Sequence, residues 1–272
     1  MSTTPELWGV VNVTPDSFSD GGKFLDPAAA VSHAKHLVEA GAKVIDVGAE
    51  STRPGAARID CEEEIRRLRP VVQSLVGAGI TVSVDTMRAE TAREMLELGA
   101  SIINDVSGGL ADPQMHSVVA DSAADYVVMH WRGHSDTMDT LAEYHDVVAE
   151  VALHLRERVD AAVTAGIAAE RIWLDPGLGF AKNPEHNVAL CAGIGEIVDL
   201  GHRVLVGASR KRFLGALLPE GNTPEQRDGV SAALATLLAG AGVSAFRVHN
   251  VSVHRDALAV WSALESASNR AE

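Results

Sequence analysis

The sequence predicts an α/β fold, a single (β/α)8 TIM barrel in which residues 1–272 form one domain, and three features support this prediction. Eight short β-branched runs alternate with Ala-rich amphipathic segments, the runs are almost continuously apolar, and a length of 272 residues is ordinary for one such barrel. An open, doubly wound parallel sheet is the alternative that the same alternation allows. The eight predicted strands are 7–13, 43–47, 81–85, 101–106, 126–129, 172–175, 203–206 and 245–248.

The helices between these strands have recognisable ends. Asp26 and Pro27 suit the N-cap and the first position of the first helix. Gly41 and Gly99 suit the position just after a helix. The most apolar stretch without a charge, 231–246, is too short to cross a bilayer, and we expect it to form a buried helix that leads into the last strand.

The composition restricts the class of partner. A formal net charge of −14 argues against a protein that binds nucleic acid through a broad basic surface. Cys61 and Cys191 lack the spacing of a metal site or a disulfide framework, which indicates a reducing compartment. Residues 1–6 have neither the basic nor the apolar region of a signal peptide. We therefore expect a cytoplasmic protein that acts on small molecules, with neither nucleic-acid nor membrane partners.

Polar residues stand at the carboxyl ends of most predicted strands. In a barrel these ends converge on one mouth, where active sites form. Each residue alone has a structural explanation, such as a helix cap, a turn or a solvated patch. Their recurrence at matching ends of different strands is what indicates a site. The residues are Asn12, Asp85, Thr86, Asn104, Asp105, His130, Asp175, the basic run 209–212, Arg247 and His249.

Two groups of side chains at this mouth predict the chemistry of the ligand. One group offers hydrogen-bond acceptors and suits a heterocycle with N–H donors, such as a 2-amino-4-oxo pyrimidine ring. The other group is cationic and suits a phosphate or pyrophosphate. The acceptors are Asp85, Asn104 and Asp175, and the cations are Arg53, Lys211, Arg247 and His249.

Several well-known catalytic motifs are missing from the sequence. It has no G-x-x-x-x-G-K-[ST] loop, no complete dinucleotide fingerprint, no H-E-x-x-H, no C-x-x-C and no G-x-S-x-G elbow. A protein zinc site, a Rossmann dehydrogenase and a serine hydrolase are therefore unsupported.

At the mouth residues the sequence resembles the dihydropteroate synthase family. The resemblance covers all but the fifth barrel unit and keeps the family's order of motifs. The matching segments are NVTPDSFSDGG at 12–22, ESTRPG at 50–55, VDT at 84–86, INDV at 103–106, LDPGLGFAK at 174–182, GASRK at 207–211 and RVH at 247–249.

The resemblance implies a transferase of folate biosynthesis on a (β/α)8 barrel. Such an enzyme condenses 6-hydroxymethyl-7,8-dihydropterin pyrophosphate with p-aminobenzoate, giving 7,8-dihydropteroate and pyrophosphate. The resemblance implies a largely dissociative path, in which the C–O bond breaks before the amine attacks. It also implies Mg²⁺ as cofactor and a homodimer.

The resemblance assigns the pterin contacts to residues already singled out. Asp175 and Asn104 would hold the amino-pyrimidine edge. Asp85 would face the dihydro ring and stabilise the cation. Lys211 would bind the O4/N5 edge, and Arg247 would stack on the ring.

The remaining roles also follow from the resemblance. His249, with the stacking arginine, would contact the pyrophosphate, and Asn12 would help hold Mg²⁺. Loops after the first two strands would close over p-aminobenzoate, with Phe180 lining its pocket. The loop residues are Phe18, Thr52, Arg53 and Pro54.

The sequence departs from the usual family pattern at three positions. Ala49 stands where many members have glycine, and Asn250 where aspartate is usual. Arg212 follows the lysine where many members have serine, and could pair with the p-aminobenzoate carboxylate. These departures bear on the aminobenzoate subsite and leave the pterin assignments intact.

Three other functions stay open at this point. A pterin-binding methyltransferase that serves a corrinoid would share the barrel and the acceptor residues. A non-catalytic paralogue would bind pterin or a partner protein only. A Schiff-base aldolase would use Lys211 as a nucleophile.

Overall fold

The structure is a computed structural model that describes residues 4–14, 26–50, 58–134 and 138–268. Eight parallel strands form a closed barrel in chain order, and β1 pairs with both β2 and β8. This confirms the (β/α)8 barrel and excludes the open sheet. The strands are β1 Glu6–Asn12, β2 Val44–Gly48, β3 Val82–Asp85, β4 Ile102–Asp105, β5 Asp125–Met129, β6 Ile172–Asp175, β7 Arg203–Val206 and β8 Ala245–Val248.

The strand predictions agree with the structure to within one residue at each end. The helices of the described residues surround the barrel, and short 3₁₀ turns lie at Met138–Leu141, Ala169–Arg171 and Glu225–Arg227. The helices are α1 Pro27–Glu39, α2 Cys61–Gly77, α3 Ala89–Glu97, α4 Met115–Ala120, α5 Val147–Thr164, α6 Pro184–Ala192, α7 Ile194–Val198, α8 Arg212–Gly215, α9 Asp228–Gly240 and α10 Val251–Ser268.

Two apolar layers hold the barrel together. The larger layer lies between the strands and the helices, where alternate strand residues pack against the buried face of each helix. Leu37, Leu68 and Leu155 are examples of the helix residues in this layer. Truncating one such leucine to alanine costs about 2–5 kcal/mol.

The smaller layer fills the interior of the barrel near the amino ends of the strands, and its two tryptophan rings meet edge to face 5.0 Å apart. Its members are Trp8, Val44, Ile102, Val127, Trp173, Leu205 and Ala245.

The alternation of strand side chains places the site above this interior layer. Because residues two apart point to the same side of a strand, the next inward positions lie closer to the carboxyl-end mouth. On four strands these positions are polar, namely Asp46, Asn104, Asp175 and Arg247. The fold therefore presents an apolar floor with polar groups above it.

The predicted helix ends are confirmed. Asp26 Oδ1 accepts the Ala28 N–H at 3.0 Å, with Pro27 in the first turn. Gly41 follows α1 with a φ of 117°, a left-handed conformation that glycine adopts without strain.

The apolar stretch 231–246 forms most of α9 and runs into β8, as predicted. The helix is buried on one face only, because Leu237 on the other face is 74% exposed. Among the described helices, none combines the length and apolar character that crossing a membrane requires.

Candidate active site

Arg247 stands at the centre of the polar layer and binds two carboxylates. Its Nε donates to Asp46 Oδ2 at 2.5 Å and its Nη2 donates to Asp85 Oδ2 at 3.0 Å. Burial alone would lower the pKa of Arg247, but Asp46 and Asp85 raise it above its usual value. The guanidinium is therefore a fixed positive charge inside an otherwise acidic protein.

Asp85 ends β3 and is nearly enclosed. Burial raises its pKa to about 7, against the opposing effect of Arg247 and with a further upward contribution from Asp46. A carboxyl group with this pKa gains or loses its proton near neutral pH, so the charge at this position depends on whatever else occupies the mouth.

Asp46 is a site residue that the sequence analysis missed. It is completely buried and accepts hydrogen bonds from Ser83 Oγ at 2.6 Å and from Asn104 Nδ2 at 3.3 Å, besides the one from Arg247. The signal was available, because an aspartate lies between Ile45 and Val47 in a strand predicted to be buried on both faces.

Asp175 ends β6 and is buried at the mouth. Its Oδ1 accepts the Gly177 N–H at 2.7 Å. Burial raises its pKa, with Lys211 opposing that effect most strongly. A Cβ added at Gly207 would lie 3.8 Å from Asp175 Oδ2 and 3.9 Å from Arg247 Cβ, so this glycine lies against both side chains.

Lys211 lies in the segment after β7 and interacts electrostatically with Asp175. Its Nζ donates to the Leu178 carbonyl and lies 4.6 Å from the centre of the Phe180 ring. Burial lowers the pKa of Lys211 to about 8, and Asp175 acts in the opposite direction. The amine is thus held by the segment after β6, beside the carboxylate predicted from the sequence.

Lys182 is a second residue whose position the sequence analysis did not predict. It is buried, and its Nζ lies 2.9 Å from His130 Nδ1, 3.0 Å from the Gly177 carbonyl and 3.1 Å from the Phe180 carbonyl. Burial lowers its pKa well below the usual value. Lys182 therefore ties the segment that carries Phe180 to the end of β5.

His249 and Asn250 lie just beyond β8. His249 Nδ1 is 3.1 Å from Ser209 Oγ. Asn250 Nδ2 donates to Asp228 Oδ2 at 2.9 Å, and Arg210 binds the other oxygen of Asp228 at 2.7 Å. An aspartate at position 250 would repel Asp228, which gives the departure from the family pattern a structural reason.

Other predicted positions lie at the rim. Asn12 ends β1 opposite Gly48, and Ala49 is buried with its carbonyl bound to Arg67. Arg212 begins α8 and is exposed next to Lys211. Phe18, Thr52, Arg53 and Pro54 lie outside the described residues.

Arg88 binds residues on both sides of the loop that follows β2. Its Nη2 donates to Glu50 Oε2 at 2.7 Å and to the Ile59 carbonyl at 2.5 Å, while its Nη1 donates to Glu64 Oε2 at 2.9 Å. These contacts fix where that loop leaves and rejoins the barrel.

Comparison with known proteins identifies the family to which the chain belongs. The model of the pterin binding enzyme family matches residues 8–249. The chain belongs to this family. A dihydropteroate synthase from Mycobacterium leprae (strain TN) is 49% identical over 269 residues, covering 97% of this chain and 95% of its own length. The resemblance to dihydropteroate synthases seen in the sequence is thereby confirmed.

Solved structures of dihydropteroate synthases have the same fold. The Xanthomonas albilineans enzyme with 4-aminobenzoic acid is 45% identical, with a TM-score of 0.89 and coverage of 96% of this chain and 93% of its own. The same enzyme in complex with 7,8-dihydropteroate gives a TM-score of 0.87 at 41% identity, covering 97% and 95% of the two chains. The Yersinia pestis enzyme with a sulfonamide drug gives 0.92 at 38% identity, with the same coverage as the dihydropteroate complex.

Proposed function

We propose that the chain is a transferase of folate biosynthesis that condenses 6-hydroxymethyl-7,8-dihydropterin pyrophosphate with p-aminobenzoate, releasing pyrophosphate and forming 7,8-dihydropteroate. The observation that carries this proposal is the grouping of hydrogen-bond acceptors and cations at the mouth. Asp175, Lys211 and Arg247 lie close enough to influence one another's pKa. A dihydropteroate synthase that is 49% identical in sequence, and a solved dihydropteroate synthase structure with the same fold, support the same reaction.

The acceptor residues suit the pterin ring. The carboxylate of Asp175 and the amide oxygen of Asn104 would accept from the ring's amino-pyrimidine edge. Lys211 would donate to the O4/N5 edge, and Arg247 would stack on the ring. Each such charge-assisted hydrogen bond contributes about 1.5–3 kcal/mol.

Asp85 would stabilise positive charge on the pterin as the C–O bond breaks. The developing cation would favour the ionised form of Asp85, whose pKa is about 7 without ligand. The attraction therefore strengthens as the bond breaks, which is what transition-state stabilisation requires.

The pyrophosphate would lie toward His249 and the rim, where Asn12 would help hold Mg²⁺. The residues fit a weakly held ion: Asn12 offers an amide oxygen, while no group of three His, Cys, Asp or Glu among the described residues could hold a metal on its own. Mg²⁺ commonly binds through one or two protein oxygens and the substrate's phosphates. When bound, the ion would neutralise the leaving group.

The p-aminobenzoate would lie next to the ring of Phe180. Arg212, exposed beside Lys211, could pair with its carboxylate. The loop residues Phe18, Thr52, Arg53 and Pro54 would complete this subsite, and Arg53 would act on catalysis through loop closure.

We further propose a cytoplasmic homodimer. Leu237 on α9 and Val260 and Leu264 on α10 are 74%, 62% and 65% exposed, which gives the neighbouring helices apolar surface for a second copy. Light scattering that gives the mass of one chain at micromolar concentration would contradict the dimer.

The decisive experiment follows pyrophosphate release from the pterin pyrophosphate with and without p-aminobenzoate. We expect release that needs both substrates. Binding of pterin without turnover would favour the non-catalytic paralogue, and methyl transfer to a corrinoid protein would favour the methyltransferase.

A further inference from the structure

Asp46 lies beneath the site, and the side chains that hydrogen-bond to it in the described part of the chain all act as donors. It is completely buried, two residues along β2 from Val44 in the interior layer. Its Oδ1 accepts from Ser83 Oγ at 2.6 Å, and its Oδ2 accepts from Arg247 Nε at 2.5 Å. Asn104 Nδ2 lies 3.4 Å and 3.3 Å from the two oxygens.

These contacts decide which end of the Asn104 amide faces the mouth. A side-chain amide has a donor end and an acceptor end, and a carboxylate can only accept. Both oxygens of Asp46 already accept from other groups, so the NH₂ end of Asn104 turns toward Asp46. The amide oxygen is left for the ligand.

We infer that Asp46 is a positioning residue that fixes the amide oxygen of Asn104 toward the mouth and thereby makes the site select a ring bearing an amino group over one bearing a carbonyl. The inference rests on the proposed function, in which Asn104 meets the amino-pyrimidine edge. Without Asp46 the amide could present either end, and the site would lose part of its ability to distinguish the two rings.

Asp46→Asn tests this with little change of volume. The new amide can keep its oxygen toward Arg247 Nε, so one of the two acceptors near Asn104 Nδ2, the one 3.4 Å away, becomes an NH₂ group. The new NH₂ can itself donate to the Asn104 oxygen, so the variant accepts either orientation of the Asn104 amide and no longer holds its oxygen toward the ligand. Ser83→Ala is the matched control, because it removes another donor to Asp46 and leaves the contact with Asn104 in place.

The measurement is calorimetric affinity for 6-hydroxymethylpterin and for the corresponding lumazine, which carries a carbonyl in place of the 2-amino group. We expect Asp46→Asn to reduce the ratio of pterin affinity to lumazine affinity at least about tenfold. In the wild-type protein the lumazine carbonyl faces the Asn104 oxygen without a hydrogen bond, and leaving a buried polar group unpaired in this way weakens binding by at least that factor. Ser83→Ala should keep the wild-type ratio. In the Asn104→Ala background, Asp46→Asn should leave the ratio unchanged to within about twofold.

A structural role for Asp46 predicts a different result, namely equal weakening of both ligands with an unchanged ratio, and that result would overturn the inference. Should Asp46→Asn fail to fold, the NMR signals of the Asn104 side-chain amide in the wild-type protein give the answer. Contacts of its protons to Ser83 support the inference, and contacts to the bound pterin contradict it.

The outcomes separate this inference from the proposed function. Turnover of both substrates by the wild-type protein, together with an unchanged ratio in Asp46→Asn, refutes the inference alone. A wild-type protein that binds neither ring and turns over neither substrate refutes both.

Discussion

Replacing Arg247 by leucine should destabilise the protein in a way that depends on pH. The guanidinium lies 2.5 Å from Asp46 and 3.0 Å from Asp85, and all three side chains are largely buried. Two unit charges about 4 Å apart attract by about 4 kcal/mol at an effective dielectric constant of about 20. Loss of one partner from a buried pair costs about 3–5 kcal/mol, because the other charge is left without compensation.

The sign of the pH dependence follows from Asp85. Its pKa rises from 3.8 to about 7 in the folded protein, so the folded state holds this proton more tightly than the unfolded chain. Stability associated with Asp85 is therefore fully present below about pH 4 and is lost as the pH rises through the folded-state pKa. Removing Arg247, which opposes the shift, raises that pKa further, and each additional unit is worth about 1.4 kcal/mol.

We therefore expect Arg247→Leu to cost about 4 kcal/mol at about pH 8.5, and at least about 1.4 kcal/mol less at about pH 6, where Asp85 is protonated in both proteins. Urea unfolding at the two pH values measures both free energies. The control is Arg255→Leu, which removes an exposed pair with Asp256 and should cost at most about 1 kcal/mol at either pH. An equal loss at both pH values for Arg247→Leu would refute the argument.

Three further predictions concern the pocket. Gly207→Val should weaken pterin binding, because a Cβ there already contacts Asp175 Oδ2 and Arg247 and the added methyl groups would crowd these side chains. Calorimetry checks this, with Gly195→Ala, where a Cβ meets nothing within 4 Å, as control. Lys211→Ala should strongly reduce activity. In the wild-type protein, pterin affinity should fall above about pH 8 as the Lys211 amine loses its proton. A borohydride-trapped adduct on Lys211, detected by mass spectrometry, would instead support an aldolase. A chelator should stop turnover without changing the melting temperature of substrate-free protein, and a drop of several degrees would contradict the weak ion site.

The sequence predicted most of the barrel because its strands are buried on both faces. Such strands are apolar runs that end where the chain reaches the mouth, and this fixes both their number and their ends. Asp85, Asn104 and Asp175 could be predicted for the same reason, since each is a polar residue at the end of an apolar run.

The rest of the site depends on contacts between distant parts of the chain. Asp46 was missed because its neighbours make it look like part of a buried strand, and its partners come from three other strands. The burial of Lys182 against His130 likewise joins residues 52 positions apart. Arg210, which the sequence analysis grouped with Lys211, instead binds Asp228, 18 positions away.

The most direct test of the account compares product formation by the wild-type protein with that of Asp175→Asn. Mass spectrometry of the reaction of pterin pyrophosphate with p-aminobenzoate should show 7,8-dihydropteroate and pyrophosphate in equal amounts. Asp175→Asn should keep the fold, seen as an unchanged circular dichroism spectrum, and lose at least about tenfold in pterin affinity and in product, as expected for a lost charge-assisted hydrogen bond. No dihydropteroate from the wild-type protein, or undiminished product from the variant, would contradict the account.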